Sequence, residues 1–268
     1  MKIVACIKYS LAVPEVKVDP ATKELRLTGV PQRVGVIDKN VLEAAAALKE
    51  ASGATVHGLT LAPVAAREGF REALAIGLDD LTIIDSTDWH AEGPAVTAAV
   101  LAAAIRKIGD VDLVVCGETS DDGMSYQVPT RLAERLGWPL LGFARNIRLA
   151  GSTMTADRDL DSGMQRVECP LPLVLTVTQE TNTPRRPTLM DAMKAKKKPV
   201  NVWQPAADLG LDPASLRAHG GVTRVAQEGI VVKRKELRLQ GGDMTALANR
   251  LLDALVAEQV VAEPQTAK

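Results

Sequence analysis

Hydrophobic residues in this chain alternate between short unbroken runs and three-to-four-residue spacings. Val4-Ala5-Cys6-Ile7 is the first run, and residues 55–61, 80–84, 111–116 and 173–177 repeat it at the length of core strands. From Asp38, the positions Val41, Leu42, Ala45 and Leu48 recur at the interval that places them on one helical face, and Ser52-Gly53 ends the segment. Further helices are predicted over 65–75, capped at Gly77, over 94–107, and from Gln127 to the break at Gly137-Trp138-Pro139. The 111–116 run has almost no polar side to show to water, so it belongs between two covered faces. Strands that alternate with helices are joined by crossovers and so run parallel. The predicted fold class is α/β, a mostly parallel doubly wound sheet with helices on both faces and a ligand crevice at the carboxyl ends of the strands.

The margins read differently. Val16-Lys17-Val18-Asp19, between Pro14 and Pro20, predicts a strand or extended loop at the sheet margin. Strand-like pieces over 146–149, 154–158 and 165–169 predict a small antiparallel addition. Pro184, Pro187 and Pro199 punctuate a basic stretch, residues 200–240 have little periodicity, and 244–258 is helical with Leu247, Leu251, Leu252 and Leu255 on one side. The expected organisation is an α/β domain over 1–200 and an extended C-terminal arm with a helix over 201–268.

Composition narrows the classes of function. A chain of 268 residues can bury a substantial core. Cys6, Cys116 and Cys169 are too few and too scattered for a disulfide framework or a metal knuckle. With 32 Lys and Arg against 33 Asp and Glu, the net charge of -1 gives no reason to expect nucleic acid as a partner. Lys8 interrupts the amino-terminal run where a signal peptide would need an apolar core, and no apolar run reaches the length of a membrane span. A cytoplasmic protein, not integral to a membrane, is expected.

Two segments carry candidate chemistry. The 117–127 loop follows a buried-type strand and precedes a helix, where unpaired first-turn N–H groups suit a phosphate and Ser120, Ser125 and Gln127 add side-chain donors; a plain turn with helix caps is the alternative. No Walker lysine and no dinucleotide glycine fingerprint accompany it. Asp121 and Asp122 without a histidine read as a solvated loop rather than a metal site, and His57, His90 and His219 have no ligand-pair spacing. With no GxSxG elbow and no acid–base set, neither catalytic residues nor a metal are assigned. The second segment, 184–198, carries six basic residues and one acidic residue. It reads either as a solvated basic helix or as a docking surface, with Leu189, Met190 and Met193 as anchor inside a rim of Arg185, Arg186, Lys194 and Lys197.

Taken in order, Val4-Ala5-Cys6-Ile7-Lys8, Leu48-Lys49-Glu50, Arg71-Glu72-Ala73-Leu74-Ala75-Ile76-Gly77, the 117–127 loop with Leu136-Gly137-Trp138-Pro139, and Pro187-Thr188-Leu189-Met190-Asp191-Ala192-Met193-Lys194-Ala195-Lys196-Lys197-Lys198 resemble the beta subunit of electron-transfer flavoproteins. The resemblance implies an electron carrier rather than a stand-alone catalyst. It implies a heterodimer with an alpha subunit that holds most of a redox FAD, a structural AMP in this subunit, a dehydrogenase as electron donor, and a quinone reductase or other redox acceptor. The arm would then pack on the alpha subunit. Carried onto this chain, the nucleotide contacts are Ala5, Asp38, Leu61, Gly117, Ser120, Asp122, Gly123, Ser125, Gln127 and Val128, and Leu189 sits at the tip of a partner-recognition loop. Gly35-Val36-Ile37-Asp38 departs from the family's Asn-Pro-aromatic-Asp, and Gln127 is followed by Val128-Pro129 rather than by x-Gly. Asp122-Gly123 resembles electron-bifurcating relatives, in which a second FAD replaces AMP and NADH is used. A universal-stress-type ATP-binding module is the alternative of a different class.

Overall fold

The computed structural model describes residues 1–87, 93–220, 222, 225–232, 235–241 and 243–261. In chain order, β1 (Lys2–Cys6) is followed by an excursion carrying the short strands β2 (Tyr9–Leu11), β3 (Lys17–Val18), β4 (Leu25–Arg26) and β5 (Gln32–Val34). Next come α1 (Val36–Ser52), β6 (Thr55–Ala62), a 3-10 segment (Val64–Phe70) that runs into α2 (Arg71–Ile76), β7 (Asp80–Asp85), α3 (Pro94–Ile108), β8 (Leu113–Gly117) and α4 (Val128–Leu136). The second half contains β9 (Leu140–Ala150), β10 (Thr153–Leu160), β11 (Gly163–Pro170), β12 (Leu173–Val177), α5 (Leu189–Ala195), β13 (Val200–Trp203), α6 (Pro205–Leu209), α7 (Pro213–Gly220) and α8 (Met244–Ala257).

Nine strands form one sheet in the order β11-β10-β9-β12-β8-β1-β6-β7-β13. Every neighbour pair from β9 to β13 is parallel, and β10 and β11 add an antiparallel edge. The fold is therefore the expected mostly parallel α/β sheet with a small antiparallel addition.

The pleat sorts β1 residue by residue. Ile3 and Ala5 join the core beneath α1 and α2 with Val41, Leu42 and Leu74, while Val4 and Cys6 join the core beneath α3 and α4 with Val100, Ile105 and Leu132. Leu42 and Leu132 are essentially sealed from solvent, so truncating either to Ala would cost about 2–5 kcal/mol. Gly53 ends α1 in the left-handed conformation at φ 69°, its N–H donating to the Lys49 carbonyl.

Three expectations are corrected in detail. Residues 17–18 pair with Leu25–Arg26 as a separate two-stranded hairpin, not at the margin of the main sheet. The helix expected over 65–75 is a 3-10 segment followed by α2, where the Tyr9 ring occupies the space beside Gly69 and lies tilted against the Phe70 ring, 5.2 Å between centroids. Beyond residue 199, where no strand was expected, Val200–Trp203 pairs parallel with β7, so the sheet runs past the boundary drawn at 200. α6 then returns to α3, where Lys107 Nζ meets Asp208 Oδ1 at 3.3 Å. The helix expected at 244–258 is α8, which buries none of its residues in this chain.

Candidate functional site

The carboxyl ends of β1, β6 and β8 open into a crevice of about 830 Å³. Its wall is Cys6, Ile7 and Lys8 after β1, Leu61 on β6, Cys116 and Gly117 on β8, and Pro94, Thr97 and Leu101 from the start of α3. Ser120, Gly123 and Ser125 of the loop after β8, with Gln127, Val128 and Arg131 at the start of α4, complete it. This is the position at which doubly wound sheets take ligands, because chain reversals there leave strand ends and helix amino ends exposed together.

Asp38 lies in the first turn of α1 and is 5% exposed. One oxygen, Oδ1, accepts the Lys8 N–H at 2.8 Å, while the buried Oδ2 has no protein partner. Burial pushes its carboxyl up to about 7, the Lys8 N–H opposes this, and the negative charges of Asp121 and Asp122 reinforce it. Gly35 makes the arrangement possible, because any Cβ there would collide with Asp38 Oδ2.

The 117–127 loop is tied down at Asp121 and Asp122. Asp121 Oδ2 accepts the Val36 N–H at 2.6 Å at the start of α1, where a negative charge complements the helix dipole. Asp122 Oδ1 accepts from Lys8 Nζ at 2.5 Å and from Ser120 Oγ at 3.0 Å. Gly117 needs to be glycine, since a Cβ would come within 2.7 Å of Ile37 Cγ2 and 3.0 Å of the Thr119 carbonyl. Burial raises the Glu118 carboxyl and Glu180 adds to it, while a hydrogen bond with Cys6 and then burial raise the Cys116 thiol.

Of the sequence-predicted nucleotide contacts, Asp38, Leu61, Gly117, Ser120, Gly123, Ser125, Gln127 and Val128 line this crevice. Ala5 is fully buried with its methyl in the core beneath α1, and Asp122 stands beside the crevice as the partner of Lys8. Sequence reasoning missed Lys8, Arg131 and the start of α3. Lys8 had a signal, a lone cation directly after an apolar strand; α3 had none, because nothing in an Ala-rich run shows which end faces a ligand.

The basic segment divides. Leu189, Met190 and Met193 are 79%, 62% and 56% exposed, and Arg186, Lys194 and Lys197 are exposed around them. Arg185 instead pairs with Glu43 and Glu50 of α1, at 2.8 Å between Arg185 Nε and Glu43 Oε2. Among the described residues, no group of three or more His, Cys, Asp and Glu suits a metal ion, and no helix is long and apolar enough to cross a membrane. His57 pairs with Asp80, whereas His90 lies outside the described residues.

Residues 28–208 match the family described as electron transfer flavoprotein domain. The chain is 30% identical over 271 residues to the electron transfer flavoprotein subunit beta of Megasphaera elsdenii, covering 97% of this chain and 100% of that one. It is 33% identical over 226 residues to the caffeyl-CoA reductase-Etf complex subunit CarD of Acetobacterium woodii, covering 84% and 86% of the two chains. It is 30% identical to protein FixA of Azorhizobium caulinodans across 99% of this chain and 96% of that one. The chain belongs to the electron transfer flavoprotein family as a beta subunit, a carrier of electrons within a heterodimer rather than a catalyst that stands alone.

Proposed function

We propose that the crevice holds an adenine nucleotide, AMP as the first reading, and that the alpha subunit carries most of the redox FAD. When bound, the FAD would supply electron-transfer chemistry between a dehydrogenase and a quinone reductase or another redox acceptor. The observation that carries the nucleotide reading is the pairing of opposites in one crevice. Lys8, Arg131 and the N–H groups at the start of α4 suit phosphate, and Leu61, Leu101 and Val128 offer apolar contact to a base.

A second FAD in place of AMP is the other reading, favoured by size. A volume of about 830 Å³ is towards the top of the roughly 300–1,000 Å³ range of small-molecule sites. Denaturing the purified heterodimer and counting released nucleotides by mass spectrometry separates the two. One AMP with one FAD supports the first reading, two FAD the second, and a single FAD with no further adenine nucleotide would refute both.

Two surfaces complete the proposal. Leu189, Met190 and Met193, with Arg186, Lys194 and Lys197 around them, are read as the contact to the electron donor. α8, with Met244, Leu251 and Leu252 at 77%, 50% and 41% exposure, is read as packing on the alpha subunit.

A further inference from the structure

The six basic residues between positions 184 and 198 do not act alike. Arg186, Lys194, Lys196 and Lys197 are exposed, while Arg185 and Lys198 turn inward. Lys198 Nζ donates to the carbonyls of Leu74 at 2.8 Å and Leu78 at 2.6 Å, which fastens the end of α5 to α2. Arg185 fastens the other end, and it does so with everything it has.

All three guanidinium nitrogens of Arg185 donate to carboxylates of α1. Nε reaches Glu43 Oε2 at 2.8 Å, Nη2 reaches Glu43 Oε1 at 2.9 Å and Glu50 Oε2 at 3.2 Å, and Nη1 reaches Glu50 Oε1. The Arg185 backbone N–H donates to Glu43 Oε2 at 3.0 Å as well. One turn earlier on the same helix, the buried Asn40 donates to the carbonyls of Asn182 at 2.8 Å and Gln179 at 3.2 Å, and Asn182 Nδ2 returns a bond to the Asn40 carbonyl at 3.1 Å. Residues 179–185 are thus zipped along α1. Two residues later Pro187 turns the chain, and the reciprocal Thr188–Asp191 bonds start α5.

A guanidinium bound by two carboxylates has no free fork for a third, and reaching a partner would mean leaving both glutamates. Lysine could not substitute, because a point charge cannot span two carboxylates in a fixed plane. The benefit of such a clamp is preorganisation. An apolar knob held at a fixed angle binds without the ordering cost that a mobile loop incurs.

We propose that Arg185 is a positioning residue for the recognition element: through Glu43 and Glu50 it sets the angle at which α5 offers Leu189, Met190 and Met193 to the dehydrogenase. The inference rests on the reading of α5 as the donor contact. It makes Arg185 a part of the scaffold, leaving partner contact to Arg186, Lys194 and Lys197.

The test uses the heterodimer with R185K and, separately, with the double substitution E43Q/E50Q. Hydrogen–deuterium exchange over residues 186–197 should rise about tenfold in both, with flavin content kept. The probe for function is a substrate-reduced dehydrogenase that turns over with the unaltered heterodimer; KM for the heterodimer should rise about tenfold in both variants while kcat at saturation holds, and combining them should add nothing further. Unchanged exchange in both variants would overturn the clamp. A raised KM in R185K with E43Q/E50Q unaffected would make Arg185 a partner contact and overturn the inference. Raised exchange with KM unchanged in R185K, but increased in L189A, would show that the angle of α5 is immaterial. KM unchanged in L189A too would remove the recognition reading itself.

Discussion

Lys8 Nζ lies 2.5 Å from Asp122 Oδ1, so the end of β1 and the loop after β8 are held together by one ion pair at the edge of the crevice. Both partners are partly exposed, 45% and 24% by side chain, and such a pair adds about 0–1 kcal/mol to the fold. Its larger role in the proposed site is to supply positive charge. K8Q should therefore leave the thermal midpoint of the heterodimer almost unchanged and weaken AMP binding about tenfold, as read by calorimetry on nucleotide-stripped protein. Equal affinity would remove Lys8 from the phosphate contacts.

Asp38 gives the fold a dependence on pH. Burial pushes its carboxyl up to about 7 in the folded chain against 3.8 for a solvated aspartate, so the folded state holds a proton that the unfolded state has released between those values. Stability contributed by the protonated form is complete below about pH 4, declines as pH rises to 7, and is lost above. D38N keeps an oxygen for the Lys8 N–H and removes the buried charge. Relative to the unaltered heterodimer without nucleotide, it should gain about 2–4 kcal/mol at pH 8 and nothing at pH 4. Denaturant melts at the two pH values measure it, and a gain independent of pH would contradict the assignment.

Leu189 is 79% exposed, so its removal costs the fold little. L189A should unfold within about 0.5 kcal/mol of the unaltered protein. If the side chain is buried by the donor, the same substitution costs binding about 1–3 kcal/mol, or roughly five- to 150-fold in kcat/KM for electron transfer. Stopped-flow flavin reduction at subsaturating donor distinguishes a contact from a bystander.

α8 exposes Leu251 and Leu252 on a helix with no buried residue of its own. Introducing charge with L251D/L252D should raise the dissociation constant of the heterodimer at least tenfold without altering nucleotide retention in the crevice. Analytical ultracentrifugation gives the constant, and an unchanged value would place α8 away from the alpha subunit.

The parallel core was legible where its strands are apolar runs and its crossovers periodic helices; the run at 111–116 and the spacing Val41, Leu42, Ala45, Leu48 required no tertiary information. β13 was not legible. Val200–Trp203 is a four-residue edge strand of alternating Val and polar or aromatic residues, and it is a strand only because β7 offers it a free edge. Gly69 shows the same limit from the other side. The helical spacing of 65–75 is real, but its first turns are 3-10, and the Tyr9 ring pressed against Gly69 there comes from a distant part of the chain. At the crevice, the loop could be found from its position in the βα pattern and Asp38 from the family resemblance, whereas Arg185 looked like its basic neighbours. Nothing local says that Glu43 and Glu50, more than a hundred residues earlier, are waiting for it.

The segment that carries α5 leaves the sheet at β12, near its middle, and returns at β13, on its far edge. Both feet of this span are hydrogen-bonded strands, and Arg185 and Lys198 pin it just inside them. Between those pins Ala195 is buried in the core, while Leu189, Met190 and Met193 stay exposed. If these exposed positions are the donor contact proposed above, substitutions at them would alter the choice of redox partner while the feet keep the span in place.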